Sequence, residues 1–407
     1  MKPAYVVIGW MVAGCGSAAP ALPLFSDVTA TQVPAAPNLH SLDTAFSDVD
    51  EDGDPDVVVA VEGDVNRLYL NDGKGVFTQK VGAFTDVKRD SENVAIADFD
   101  RDGHLDAAFA SEDDAIHELY LGDGRGGFRD VSDRLPRGCH ANAIVAQDLT
   151  GDGHPDLLLG CGGRNLFLVN DGRGNFTDEA AQRMPADGDT ESTQDLKLGD
   201  LNGDRHLDLV VANETGRNRL LLNDGAGKFT DASARLPVPY PEETRMALLF
   251  DADGDADLDL VFCNLTCNAC GERTRNPQVR LLFNDGAANF TDVTATRMPA
   301  NAFSSWAGGV IDFDADGDAD LMISAIDVPG FSPLRLRAYR NDGRGTFADA
   351  TDTVLPTTAQ GRIWSVATAD VDKNGTLDMF AGAWGTQALL LLGRVPARGS
   401  TEAHPRP

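Results

Sequence analysis

One nine-residue pattern occurs seven times in this chain, and no other feature constrains its fold so tightly. The first copy is Asp48-Val49-Asp50-Glu51-Asp52-Gly53-Asp54-Pro55-Asp56, and the others begin at Asp98, Asp148, Asp200, Asp251, Asp312 and Asp370. Oxygen-bearing side chains stand at positions one, three, five and nine. They are Asp48, Asp50, Asp52 and Asp56; Asp98, Asp100, Asp102 and Asp106; Asp148, Thr150, Asp152 and Asp156; Asp200, Asn202, Asp204 and Asp208; Asp251, Asp253, Asp255 and Asp259; Asp312, Asp314, Asp316 and Asp320; and Asp370, Asp372, Asn374 and Asp378. Acidic side chains at alternate positions of a tight loop aim their oxygens at one point. Their repulsion would open the loop unless a hard cation sat there, and calcium takes six to eight oxygens. A glycine after position five supplies the turn that brings round the carbonyl of position seven. That position holds Asp54, His104, His154, His206, Asp257, Asp318 or Thr376. The three histidines admit zinc, but carbonyl ligation with an outward imidazole is the simpler expectation. An EF-hand is excluded, because it needs a Glu at position twelve, where the first loop has Val59.

The first aspartates are spaced by 50, 50, 52, 51, 61 and 58 residues. Such a period signals a solenoid, propeller or array. Each unit reads as four strands: one into the loop, one out of it (Leu157-Leu158-Leu159), a third ending in Asn-Asp-Gly (Asn71, Asn170, Asn223, Asn284, Asn341), and a fourth opening with Phe (Phe77, Phe128, Phe176, Phe229, Phe290, Phe347). Asp-Gly between apolar runs is a hairpin signal, since both residues tolerate positive φ. Four antiparallel strands without an amphipathic helix make a propeller blade. The chain is therefore expected to be all-β, a seven-bladed β-propeller over residues 25–393. The seventh unit lacks its Phe-x-Asp strand, and Phe25-Ser26-Asp27-Val28-Thr29 stands unused at the start. Residues 25–30 are expected to close the last blade, removing free sheet edges. Residues 394–407 read as a disordered tail, and the closed ring as a monomer.

The formal charge of −30 disfavours a nucleic-acid partner, which needs a basic face. Seven divalent ions would reduce it to about −16. Residues 1–14 read as a signal peptide with a short apolar run after Lys2. It ends Val12-Ala13-Gly14-Cys15, which resembles the bacterial lipobox and implies a lipid on Cys15, then a linker to residue 24. Ordinary secretion is the alternative. Either route leads out of the cytoplasm, and membrane attachment is expected only through the lipid.

The seven loops resemble the calcium loops of FG-GAP and VCBS repeats, as in the integrin α-subunit propeller, over about Phe25 to Gly393. The literal Phe-Gly-Gly-Ala-Pro segment is absent, which places the chain nearer the bacterial VCBS type. The resemblance implies side-chain ligation by positions one, three, five and nine, carbonyl ligation by position seven, and up to seven calcium ions. Thr150, Asn202 and Asn374 leave three carboxylates in their loops and imply weaker sites. Arg205 and Ala256 replace the expected glycine.

Cys139 precedes an entry strand and Cys161 follows the matching exit strand, so folding the hairpin brings them together as an expected disulfide. Cys263, Cys267 and Cys270 lack a fourth ligand for zinc and imply one further disulfide with an odd thiol. Six residues before each first Asp stand Leu42, Glu92, Asn142, Gln194, Arg245, Trp306 and Trp364. On a propeller these ring the channel mouth opposite the loops. The polar members and the tryptophans are candidate ligand-binding residues for a protein or glycan, with inter-blade packing as the alternative for the tryptophans. The expected function is a ligand-binding or adhesion module. A sugar-active enzyme and a passive envelope scaffold are the alternatives, and no nucleophile–base pair supports catalysis.

Overall fold

In the computed structural model the described residues are 22–186, 191–237, 242–266, 277–328 and 330–394. Cys15, the signal segment, Cys267, Cys270 and the tail after Arg394 lie outside them.

Each repeat folds as one four-stranded antiparallel sheet. The first comprises Ser41–Ser47, Asp56–Asp64, Arg67–Asn71 and Phe77–Gln79. Six further sheets follow the same order along the chain, the first of these six being joined to blade one through Glu62↔Asp90 and Asp64↔Arg89. The last is completed by Phe25–Asp27, which pairs antiparallel with Leu389–Gly393 in the register Phe25↔Gly393, Ser26↔Leu392 and Asp27↔Leu391. First strands of successive sheets touch round the whole ring, including Ser41–Ser47 against Ile363–Ala369. The fold is a β-propeller of seven blades.

The packing explains the apolar runs. A blade is covered on both faces by its neighbours, so its second strand is apolar at every position and not at alternate ones. Val57, Val58, Val59, Ala60 and Val61 are all buried. The core is correspondingly divided into seven clusters, one per seam between blades. Phe25 belongs to the cluster between blades six and seven. Polar pins cross the seams near the channel. Val94 donates its N–H to Asp43 at 3.2 Å, Ile144 to Asn93 at 3.2 Å, and Ala247 to Asp195 at 2.8 Å.

Cys139 and Cys161 are joined, with Cα atoms 5.8 Å apart, in the seam between blades two and three. Cys263 is a buried free thiol, pushed up to about 12 by desolvation. Single helical turns follow the outer strands, at Thr29–Gln32, Ala180–Arg183, Thr294–Arg297 and Thr351–Val354, with 3₁₀ turns at Ser132–Arg134 and Ser233–Arg235. The cause is the Asp of Phe-x-Asp, whose carboxylate accepts the N–H two residues on. Asp27 takes that of Thr29 at 3.1 Å, and Asp292 that of Thr294 at 2.9 Å. Ile326–Asp327, Ser332–Arg335 and Gln360–Gly361 form a small extra sheet. Among the described residues no helix is long and apolar enough to cross a membrane.

Candidate functional site

Two places concentrate chemistry. The first is the set of loops between the first and second strands. Position nine is fully buried in all seven: Asp56, Asp106, Asp156, Asp208, Asp259, Asp320 and Asp378. Each carboxylate accepts at least two backbone N–H groups, one from position two and one from the end of the third strand, and Asp156 also takes that of Thr150. For Asp56 these come from Val49 at 3.2 Å and Asn71 at 2.9 Å, and for Asp378 from Val371 and Gly393, both at 2.8 Å. Position one folds the loop over itself, Asp48 accepting the N–H groups of Asp52 at 3.1 Å and Gly53 at 3.0 Å. Positions four and six sit in the left-handed region, where the first loop has Glu51 and Gly53. Arg205 and Ala256 hold position six at φ 71° and 74°, a strained conformation for residues with a Cβ.

These loops fit a hard cation. In at least four of them carboxylate oxygens lie within 4.8 Å of one another: Asp48, Asp50 and Asp56; Asp98, Asp100 and Asp106; Asp251, Asp253 and Asp255; Asp312, Asp314 and Asp316. Asp50 Oδ1, Asp98 Oδ1, Asp100 Oδ1, Asp253 Oδ1, Asp314 Oδ1 and Thr150 Oγ1 are buried without a hydrogen-bond partner. Buried oxygens of this kind are costly unless something binds them. Burial, reinforced by the other loop carboxylates, pushes Asp56, Asp106 and Asp378 up to about 7 and Asp320 to about 8. A bound divalent ion would reverse that penalty.

Six of the seven side chains at position seven lie against a turn. His104, His154 and His206 pack over the turn glycines Gly124, Gly172 and Gly225, and Asp54, Asp257 and Asp318 over Gly73, Gly286 and Gly343. A Cβ on any of these glycines would fall within 3 Å of the side chain. His104 also meets Glu51 of the preceding blade at 2.5 Å, and Lys373 meets Asp54 across the seam between blades seven and one. The turn asparagines reach the neighbouring loop too. Asn71, Asn170, Asn284 and Asn341 donate to the position-two carbonyls of Val371, Phe99, Leu201 and Ala252 at 2.8–2.9 Å.

The second place is the channel mouth. Leu42, Glu92, Asn142, Gln194, Arg245, Trp306 and Trp364, one from each blade, all line a single cavity of about 400 Å³. A second ring joins them that sequence reading missed: Glu62, Glu112, Glu214 and Trp384. These share an offset as well, standing six residues after the ninth loop position, at the exit of the second strand.

The walls are unlike. Trp306 stacks on Trp364 at 4.3 Å between centroids, and Trp364 on Trp384 at 5.8 Å. His40 stacks on Trp384 at 4.6 Å, and Arg245 lies over Trp306 at 5.2 Å. The ring faces are thus engaged with one another. The Trp384 indole N–H donates to Glu62. In blade two, oxygens of Asp90, Glu92 and Glu112 lie within 4.8 Å of one another. Burial, with the charges of Asp90, Glu112 and Glu62, pushes Glu92 up to about 9. Asn142 donates to Glu112 at 3.3 Å. Arg245 is already compensated, by Glu214 and Glu243 at 3.0 Å each and by the Gln194 oxygen at 2.8 Å.

The model of the FG-GAP-like repeat matches residues 48–109, 98–159, 148–211, 200–262 and 325–381. The sixth loop, Asp312 to Asp320, falls between matched ranges yet occupies the same hairpin. Cartilage acidic protein 1 of Mus musculus is 29% identical over 215 residues, covering 49% of this chain and 32% of that protein. Its Xenopus tropicalis counterpart is 30% identical over 171 residues, covering 40% and 25%. The aligned region thus spans about a third or less of those relatives. Among solved structures, BBS1N in complex with ARL6DN superposes with a TM-score of 0.57 at 10% identity, over 93% of this chain and 98% of that one. At that identity the likeness concerns the fold alone.

Proposed function

We propose, from the premise that the chain belongs to the FG-GAP-like repeat family, that it is an extracytoplasmic propeller braced by calcium and binding a protein or glycan at its channel mouth. One observation carries the reading. Seven side chains picked out by a single sequence offset meet around one cavity. A concave mouth with converging polar groups is where a propeller holds a ligand. Calcium is supported by the partnerless loop oxygens, which positions one, three, five and nine would direct onto the ion, with the position-seven carbonyl completing the set. An oxidising compartment is supported by the Cys139–Cys161 bond. Adhesion and lipid anchoring at Cys15 belong to the same proposal.

The test is a glycan array and a protein-partner screen, each run in calcium and again in chelator. Binding is expected to need calcium and to be lost on Asn142→Ala and on Trp364→Ala. Binding indifferent to both substitutions, but lost on Asp171→Ala at the loop rim, would move the site away from the mouth.

A further inference from the structure

We propose that Asn202 and Asn374 are sites of spontaneous deamidation, each losing its side-chain amide to attack by the following glycine nitrogen while its loop is free of calcium. This rests on reading the loops as calcium sites. The sequence contains Asn-Gly twice, at Asn202-Gly203 and Asn374-Gly375. Both pairs fall on ligand positions, three of the fourth loop and five of the seventh, where most sibling loops carry aspartate. Thr150, the remaining departure, has no amide to lose.

The loop geometry supplies what the reaction needs. The attacking nitrogen belongs to a glycine, unshielded by a Cβ, at φ 78° in Gly203 and 86° in Gly375. Its proton already sits on a carboxylate. Gly203 donates to Asp200 Oδ1 at 2.8 Å, and Gly375 to Asp370 Oδ2 at 2.9 Å. A carboxylate at that reach is placed to take the proton as the nitrogen attacks. The carbonyl under attack is folded back over the glycine. Asn202 Oδ1 accepts the Asp204 N–H at 2.9 Å, and Asn374 Oδ1 that of Thr376 at 2.8 Å. Both glycines are exposed, so water reaches the product.

The steps balance without an oxidant or reductant. The glycine nitrogen bonds to Cγ, its proton passes to the position-one aspartate, and Nδ2 takes up a proton and leaves as ammonia. The cyclic imide then adds one water. Opening at Cγ leaves an ordinary aspartate, which gives the loop the fourth carboxylate of its siblings. Opening at the main-chain carbonyl leaves the isomer with the chain routed through Cγ, which lengthens the loop backbone and spoils it. A bound ion withdraws two of the parts. It takes the asparagine oxygen as a ligand, and it engages the carboxylate that would accept the proton. The two sites differ in one respect. Nδ2 of Asn374 donates to the Gly393 carbonyl at 3.1 Å, whereas Nδ2 of Asn202 makes no hydrogen bond among the described residues. Asn202 should therefore convert first.

The test is peptide mapping by mass spectrometry of the protein aged at mildly alkaline pH, in calcium and in chelator. In chelator, Asn202 and then Asn374 are expected to show the mass change of amide to acid. Calcium at about ten times its Kd leaves about a tenth of the loops free, so it should slow both about tenfold. Asn175 and Asn289, exposed but followed by phenylalanine, should keep their amides. Amides intact at both sites in chelator would overturn the inference. So would conversion no faster than at Asn175 and Asn289, or equal rates in calcium and chelator. Asn202→Asp carries the ordinary product and should melt higher than the parent in calcium. No rise would overturn the claim that conversion completes the ligand set. Melts of the unaged parent separate this inference from the reading beneath it. A melt raised by calcium, with both amides preserved in chelator, sinks the inference and leaves the calcium sites standing. A melt indifferent to calcium sinks both.

Discussion

At the scale of single residues, the first four blades share one hydrogen bond with one change of chemistry. The N–H of Val61, of Cys161 and of Asn213 is accepted by an asparagine oxygen, from Asn66 at 3.0 Å, Asn165 at 2.7 Å and Asn218 at 2.8 Å. In blade two the acceptor is His117 Nδ1, taking the Ser111 N–H at 3.2 Å. An acceptor nitrogen has no proton, so the native state needs a neutral imidazole. Burial agrees, holding His117 down at about 4 against an ordinary 6.5. The sign follows from linkage. As pH falls below 6.5 the unfolded chain takes up a proton that the folded chain refuses, so stability drops between about pH 6.5 and 4. The full effect is about 3 kcal/mol. His117→Asn restores the bond used by blades one, three and four and removes the titration. Denaturant melts in calcium at a series of pH values should show the acid loss in the parent and a flatter curve in the variant. Parallel curves would mean that His117 is not the group responsible.

At the scale of the element, the loop hairpin performs two tasks with similar residues, and only one of them was legible in the sequence. The alternation of aspartates is local, so spacing alone brought out the ligand set. The position-nine staple and the Asn-to-loop contacts across seams depend on which backbone groups arrive from other strands and blades, and no local pattern records that. The same holds at the mouth. The first-strand ring was legible because it keeps a constant offset. Glu62, Glu112, Glu214 and Trp384 keep one too, but they follow apolar strands of varying length and read as loop residues. The division of labour within the loop can be measured. Asp50→Ala removes the partnerless Oδ1 and one exposed loop contact to the Asp52 N–H, whereas Asp56→Ala strands two buried N–H groups. In chelator, Asp56→Ala should cost about 2–5 kcal/mol and Asp50→Ala almost nothing. In calcium, Asp50→Ala should lose the binding contribution of that site, about 3 kcal/mol at a hundredfold excess over Kd. Thermal melts with and without chelator read both. An Asp50→Ala variant equal to the parent in calcium would remove the metal from the first loop.

At the scale of the whole molecule, stability is a property of the ring. With its core divided among seams, each blade is held by two neighbours and none has a hydrophobic centre of its own. The ends of the chain meet in the seventh blade, where closure is a short strand and a handful of contacts. Phe25 is 2% exposed in its seam. Leu390 donates its N–H to Thr29 Oγ1 at 2.9 Å, and Arg394 reaches Ser26 Oγ at 2.6 Å. Deleting residues 25–29 therefore removes a buried aromatic side chain worth about 2–3 kcal/mol and bares the edge of Leu389–Gly393. An open ring can part at that seam without first breaking another, so unfolding should begin there. The truncated protein is expected to melt several degrees lower and to associate through the uncovered strand. Hydrogen exchange should show the seventh blade losing protection first, while blades three and four keep theirs. A truncated protein that stays monomeric, melts with the parent and exchanges evenly would mean that the six uncut seams hold the ring without the terminal strand.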